Sequence, residues 1–229
     1  SARLTSSMLG ELLYEQGRIA EAEELLDESR HLGSEGGIPD FMIARFVTAA
    51  RLKAVRGDLE AATALLDEGS RAATDPDLPR LRARIDNERV RLGFTVPPPP
   101  PRPIPTGDVD FDDGVAECTA QIEDATTARL LCSTGDRESA ERAVALAQWW
   151  LTRVRARNRP RATLWATRLL SVCLFAAGDV DDAERHFADV VHECGERGIL
   201  RYPLDGGPHA VAVLRLLQAR LHEDRWGAG

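Results

Sequence analysis

Four titratable side chains recur at helical spacing near the end of the chain and could together hold a metal ion or transfer a proton. They are Asp182, His186, Asp189 and Glu193, at positions i, i+4, i+7 and i+11. On a helix this spacing places all four on one face, and carboxylates and an imidazole are suitable metal ligands or acid–base groups. Because the opposite face of the same helix is apolar, we favour the interpretation of an ordinary solvated surface.

A glycine-rich segment and two blocks of opposite charge are further candidates for binding. Residues 33–37 could hold a phosphate with backbone amides, but Glu35 would repel an anion, and we interpret the segment as a turn. Residues 103–127 carry seven acids and no base, whereas residues 142–178 carry seven arginines and no acid. Neighbouring helices of complementary charge explain the blocks; the alternative is an arginine-rich surface for phosphate groups or nucleic acid.

The composition and motif content argue against an enzyme, a nucleic-acid-binding chain and a membrane protein. No phosphate-binding loop, G-x-S-x-G or kinase catalytic-loop motif occurs, so the chain is predicted to be non-catalytic and to need no cofactor or metal. A net charge of −8 disfavours nucleic acid as a partner. No run of about 18 apolar residues could span a bilayer. Four cysteines without a C-x-x-C pair indicate reduced thiols in a cytoplasmic protein.

An internal repeat of about 40 residues organises the chain. Four glycines, Gly17, Gly57, Gly135 and Gly178, each stand seven residues after a small side chain and five before an alanine. This register predicts a helical hairpin, because glycine ends the first helix in a left-handed conformation and small residues let two helices approach closely. An apolar residue nine positions after each glycine fills the space towards the next hairpin. The small residues are Gly10, Ala50, Ala128 and Ser171, the alanines are Ala22, Ala62, Ala140 and Ala183, and the apolar residues are Leu26, Leu66, Val144 and Phe187.

The hydrophobic periodicity predicts an all-α fold of about ten helices and no strand. The helices are expected near residues 5–16, 19–32, 38–56, 59–71, 79–93, 113–133, 137–157, 160–177, 180–196 and 208–224. The helix at 180–196 is clearly amphipathic, with Ala183, Phe187, Val190, Val191 and Cys194 expected along one face.

A proline run divides the predicted helices into two lobes. Residues 97–101 are all proline and two more prolines follow by position 105, which forces an extended conformation of ~28 Å over nine residues. We predict a helical-repeat lobe at 1–94, a proline-rich linker at 95–109 and a second helical-repeat lobe at 110–229. With Arg102, the run also has the chemistry of a ligand for an aromatic groove, although we favour a spacer.

The repeat resembles the tetratricopeptide repeat, with units lengthened to about 40 residues. The first unit matches that family's signature at Leu9, Gly10, Leu13, Gly17, Ala22 and Leu26. The second unit departs from it, with Lys53 where the family has an apolar or aromatic residue. The resemblance implies an α-solenoid of helical hairpins, interrupted here by the polyproline linker.

The end of the chain carries a more specific pattern. Its last predicted repeat runs into a glycine, Arg201, Tyr202, Leu204, an aspartate and a Gly-Pro helix start, although Pro203 interrupts the turn and Gly206 stands where an acid is common. This pattern resembles the close of the helical-repeat sensor region in MalT-like (STAND-class) bacterial regulators. In those regulators the repeats follow an ATPase module and sense a small molecule or a protein, and a DNA-binding domain usually follows. Actinobacterial Ser/Thr kinases of the PknK type carry a similar region.

These resemblances imply a regulatory sensor region whose partners are a protein or small effector and other domains of the same polypeptide. A scaffold that docks proteins and senses nothing is the alternative. In hairpin stacks the first helix of each unit lines the concave groove. Counting back from the glycines predicts a binding face of Trp165, Arg168, Val172 and Phe175, with Arg129 and Cys132 from the preceding unit. Packing of the helix at 208–224, or of the other lobe, onto this face is the alternative.

Overall fold

The computed structural model describes residues 2–29, 39–74, 78–100, 102–107 and 109–226. These residues form helices and connecting segments, with no β-strand among them, so the all-α prediction is confirmed. The helices are α1 (Ala2–Glu15), α2 (Ile19–Ser29), α3 (39–55), α4 (Leu59–Ala72), α5 (Pro79–Arg91), α6 (Gly114–Ser133), α7 (Arg137–Ala156), α8 (Pro160–Ala177), α9 (Val180–Arg197), α10 (Arg201–Leu204) and α11 (Pro208–Trp226). In this described part of the chain, none is both long and apolar enough to cross a membrane. The glycine-rich segment at 33–37 lies outside the described residues.

The ten predicted helices agree with the structure to within about three residues at each described end. Two local features differ from the prediction. Helix α3 contains a π-helical turn at Ala44–Thr48 between α-helical Pro39–Ile43 and Ala49–Val55. The four-residue α10 is also an addition, because a single turn is too short to show hydrophobic periodicity.

The repeat glycines end their helices in the left-handed conformation, as predicted. The φ angle is +80°, +85°, +78° and +88° at Gly17, Gly57, Gly135 and Gly178. In two hairpins the next residue starts the second helix, since the Asp58 and Asp136 carboxylates each accept a hydrogen bond from the backbone N–H three residues on, at 2.9 and 2.8 Å. A Gly-Asp pair therefore makes the tight turn by stopping one helix and capping the next.

The small residues bring the paired helices into close contact. The alanines that follow the glycines, Ala22, Ala62, Ala140 and Ala183, are all buried. A Cβ atom on Gly10 of α1 would lie only 2.8 Å from Cγ of Leu26 on α2. In the last hairpin, the Ser171 hydroxyl donates a hydrogen bond to the Ala183 carbonyl at 2.7 Å. The space between the helices therefore excludes larger side chains at these positions.

Replacing Ala62 by leucine should overpack the α3–α4 hairpin. Because Ala62 has no exposed surface, we expect the free energy of unfolding to fall by about 1–3 kcal/mol, measured by urea denaturation. The matched control is Ala64→Leu, two residues along the same helix at an exposed position, which should unfold like the wild type. Equal stability of the two variants would contradict the hairpin packing.

The chain separates by its contacts into two compact units. The first comprises residues up to Val96 together with Asp112–Glu123, and the second comprises Pro97–Phe111 and the residues from Asp124 onward. Helix α5 has no hairpin partner in the repeat register, yet its Leu81 and Ile85 are buried in the core of the first unit. The lobes at 1–94 and 110–229 and the linker at 95–109 stay a prediction.

Candidate functional site

The six residues predicted to line the groove all lie in the second unit, and most of them are buried. Trp165 and Phe175 of α8 are half-buried. The other four, Arg129, Cys132, Arg168 and Val172, have at most 9% of their surface exposed. We call these six residues the inner face. The chain itself covers much of it.

Two arginines of the inner face bind main-chain carbonyls of the segment that follows α9, residues 199–209, which we call the closing segment. Arg168 donates a hydrogen bond through Nη1 to the carbonyl of Tyr202, and its guanidinium carbon lies 4.0 Å from the centre of the Tyr202 ring. Arg129 of α6 donates through Nη1 to the carbonyl of Gly206 at 2.7 Å. The arginines therefore fix the closing segment by charge-assisted hydrogen bonds.

The glycine at position 206 has a packing reason. A Cβ atom there would overlap Cβ of Ala210 and lie 3.4 Å from Cδ of Arg168. Any side chain at this position would therefore collide with the start of α11.

Two ionisable side chains at the inner face, His209 beside Phe175 and Cys132, have shifted pKa values. The Phe175 ring lies 6.0 Å from the His209 ring, and burial together with the Arg129 charge lowers the pKa of His209. The Cys132 and Cys173 thiols form a hydrogen bond, which lowers the pKa of Cys132 against the opposing effect of burial.

The structure places three of the six inner-face residues, Arg129, Arg168 and Phe175, against the closing segment. The alternative stated above, that the helix at 208–224 packs onto this face, agrees with the contact of Phe175 with His209 of α11. Binding of a partner there stays a prediction, and the half-buried Trp165 and Phe175 are the members with most surface to offer.

The polar face of α9 is held by ion pairs within the helix. Asp182 pairs with Arg185, and Glu193 accepts a hydrogen bond from Arg197 Nε at 2.6 Å. Asp189 is exposed and His186 is half-buried. Across the residues that the structure describes, no three or more His, Cys, Asp or Glu side chains converge as metal ligands would.

Sequence reasoning missed two groups of interacting residues. The sequence did not predict that Arg129 and Arg168 bind the carbonyls of Gly206 and Tyr202. It did identify the segment containing these carbonyls, through the pattern at the end of the chain. A cluster of Phe111, Trp149 and Trp150 was also missed. A signal for it in the sequence was the proline run with Arg102, which has the chemistry of an aromatic-groove ligand.

A family model described as the tetratricopeptide repeat matches residues 4–28 and 164–189. These ranges are the α1–α2 and α8–α9 hairpins, whose turn glycines and close contacts are described above. These two hairpins therefore match the tetratricopeptide repeat, as the sequence resemblance predicted.

Among curated proteins, the chain is similar to the serine/threonine-protein kinase PknK of Mycobacterium tuberculosis and of Mycobacterium bovis. It is 41% identical to each over 208 residues, which is 90% of this chain and 19% of the kinase. The chain thus spans about a fifth of the length of these relatives. The predicted likeness to a region of a PknK-type kinase is confirmed. No solved structure matches the chain.

Proposed function

We propose that this chain is a non-catalytic, cytoplasmic regulatory region of a multidomain bacterial signalling protein of the kinase or transcription-regulator class. The observation that carries the proposal is the 41% identity over 90% of the chain to a protein named as a serine/threonine kinase. Its tetratricopeptide repeats are of a type that generally provides binding surfaces rather than catalysis. The other domains of the same polypeptide would then be among its partners.

The inner face is the proposed site of a protein partner or small effector. Its half-buried aromatic rings, Trp165 and Phe175, offer apolar surface next to the closing segment. An effector that contacts this aromatic edge would change how firmly Arg129 and Arg168 hold the closing segment. Because α11 begins within that segment, the change would reach the last helix of the chain.

A scaffold role without ligand sensing is the second candidate. It is favoured by the burial of Arg168 and Val172, which are 4% and 2% exposed and leave little open groove for a small molecule. In that case the closing segment is a fixed structural element, and partners bind elsewhere on the repeats.

A thermal-shift screen of the purified chain against metabolites and nucleotides separates the two roles. A ligand at 100 times its dissociation constant should stabilise the fold by about 2.7 kcal/mol and raise the melting temperature by roughly 5 °C or more. Trp165→Ala should abolish this shift. The control Gln218→Ala, at an exposed position on α11, should retain it.

A binding assay tests the partner role. In this assay, the kinase module of Mycobacterium tuberculosis PknK is immobilised and the purified chain is passed over it. Retention of the chain on the kinase module, with no small molecule raising its melting temperature, supports the scaffold role. A ligand shift that needs Trp165 supports the sensor. Neither retention nor a ligand shift would contradict the proposed function in both forms.

A further inference from the structure

A different surface of the second unit binds a non-helical segment of the same chain. The segment comprises residues 102–107 and 109–111, here called the strap. The surface, here called the aromatic platform, is formed by Asp124 of α6 and by Trp149, Trp150 and Arg153 of α7. None of these residues belongs to the inner face, so the two surfaces can be tested separately.

Polar contacts anchor the first part of the strap. The Arg102 guanidinium donates to Asp124 Oδ1 through Nη2 at 2.8 Å and through Nε at 3.1 Å. Farther along, the Trp149 indole N–H donates to the carbonyl of Gly107 at 3.3 Å. An arginine and a main-chain carbonyl of the strap are thus each recognised by a partner of matching chemistry.

An aromatic ring anchors the end of the strap. Phe111 stacks on Trp150, with ring centres 6.0 Å apart and an interplanar angle of 26°. The Arg153 guanidinium carbon lies 4.9 Å from the centre of the Phe111 ring and 5.5 Å from that of Trp149. Phe111 therefore contacts both an aromatic ring and a cation, each of which attracts a π-system.

The platform residues are held in place by one another. Asp124 is 8% exposed, and its second oxygen, Oδ2, accepts a hydrogen bond from the Trp150 indole N–H at 2.8 Å. The Trp149 and Trp150 rings meet edge to face, with centres 4.7 Å apart. These contacts do not involve the strap, so the platform is preorganised to receive a ligand.

The strap has the chemistry that aromatic grooves recognise in proline-rich ligands. It carries Pro103 and Pro105 directly after the prolines at 97–101. An extended proline-rich backbone has no internal hydrogen bonds and is already close to its bound conformation, which lowers the entropic cost of binding. A tryptophan N–H that meets a ligand carbonyl and a carboxylate that meets a ligand arginine then fix direction and register.

We propose that the aromatic platform is a recognition site for extended, proline-containing segments that carry an arginine and, nine residues later, an aromatic ring. The chain's own strap occupies the site in this structure, and a segment of the same chemistry in a protein partner binds by displacing it. Because the strap is tethered at both ends, its effective concentration is on the order of millimolar, and it keeps the site closed against weak competitors.

The test uses a fluorescent peptide with the sequence of residues 97–111 and the 229-residue chain carrying Arg102→Ala and Phe111→Ala. The peptide should bind this strap-released chain at least tenfold more tightly than the wild type, measured by fluorescence anisotropy. Adding Trp149→Ala or Arg153→Ala to the strap-released chain should weaken binding by about tenfold. Arg142→Ala, an exposed arginine on the same helix, is the matched control and should leave binding unchanged.

A second measurement on the wild-type chain remains informative if the double variant does not fold. Thr106 and Gly107 are exposed, and cleavage between them by a protease should accelerate at least fivefold with millimolar peptide, because the strap is displaced. A peptide in which the arginine and phenylalanine are alanine should have no effect. Unchanged cleavage, equal binding of both peptides, or binding that survives Trp149→Ala would each overturn the proposal.

Discussion

Replacing Glu88 by alanine should lower the free energy of unfolding of the first unit by about 3–5 kcal/mol, because it removes the shared partner of a buried ion network. The Glu88 side chain has no exposed surface. Its carboxylate accepts a hydrogen bond from Arg51 Nε of α3 at 2.8 Å and another from Arg91 Nε of α5 at 2.8 Å. Without this carboxylate, two guanidinium charges that are largely shielded from water lose the group that neutralises them.

Urea denaturation measures the loss, and an exposed ion pair supplies the control. Glu21 of α2 pairs with Arg18, which directly precedes this helix in the same unit, but both side chains are about half exposed. Glu21→Ala should therefore leave the unfolding midpoint unchanged, since solvent screens such pairs. If Glu88→Ala were no more destabilising than Glu21→Ala, the network would not contribute to the stability of the first unit.

The same network predicts a specific dependence on pH. Burial alone would raise the pKa of the Glu88 carboxyl, but the charges and hydrogen bonds of Arg51 and Arg91 outweigh it and lower the pKa from 4.5 to about 2. The stabilisation should be complete above about pH 4.5 and disappear as the pH falls towards 2. The difference in unfolding free energy between wild type and Glu88→Gln should follow this curve. A difference that stays constant down to pH 2 would contradict it.

The sequence was sufficient to predict the hairpins because their determinants are local. A left-handed glycine, an alanine five residues later and a small residue seven residues earlier fix both the turn and the distance between the helices. Gly10 and Ser171 show this directly, one by leaving no room for a Cβ and the other by bonding to the Ala183 carbonyl. These positions have the same structural role in each hairpin, so four imperfect copies of the repeat together predict one fold.

The repeat pattern and the hydrophobic periodicity did not predict contacts between residues that are far apart in the sequence. Lys53 departs from the tetratricopeptide signature, but its Nζ lies 2.7 Å from Glu23 Oε1 on α2, which compensates the charge. The Arg168 position was predicted on the inward side of α8, yet its contacts with Tyr202 depend on how the closing segment returns to the repeats. Periodicity gives the side of a helix on which a residue lies. It does not give the segment that covers that side.

The apolar residues nine positions after each repeat glycine differ in how deeply they are buried. Leu26, Leu66 and Phe187 are 2% exposed or less, whereas Val144 in the same register is half-buried. On α9 the predicted apolar face holds for Ala183, Phe187, Val190 and Cys194. Val191 was assigned to that face wrongly and is 38% exposed, because its position falls at the edge of the apolar stripe.

These differences make Phe187 the apolar position of α9 where truncation should most weaken the second unit. Phe187 has no exposed surface, and Phe187→Ala should lower the free energy of unfolding by about 3–5 kcal/mol through lost burial and the cavity that remains. Val191→Ala, four residues along the same helix, should change it by less than about 0.5 kcal/mol because much of that side chain already faces water. Val144 occupies the same repeat position as Phe187 but is half-buried. Val144→Ala should therefore lower the free energy of unfolding by an intermediate amount, which tests whether burial at this repeat position determines the loss. Urea denaturation of the three variants gives the order, and equal losses at Phe187 and Val191 would show that the apolar face of α9 is not the packed one.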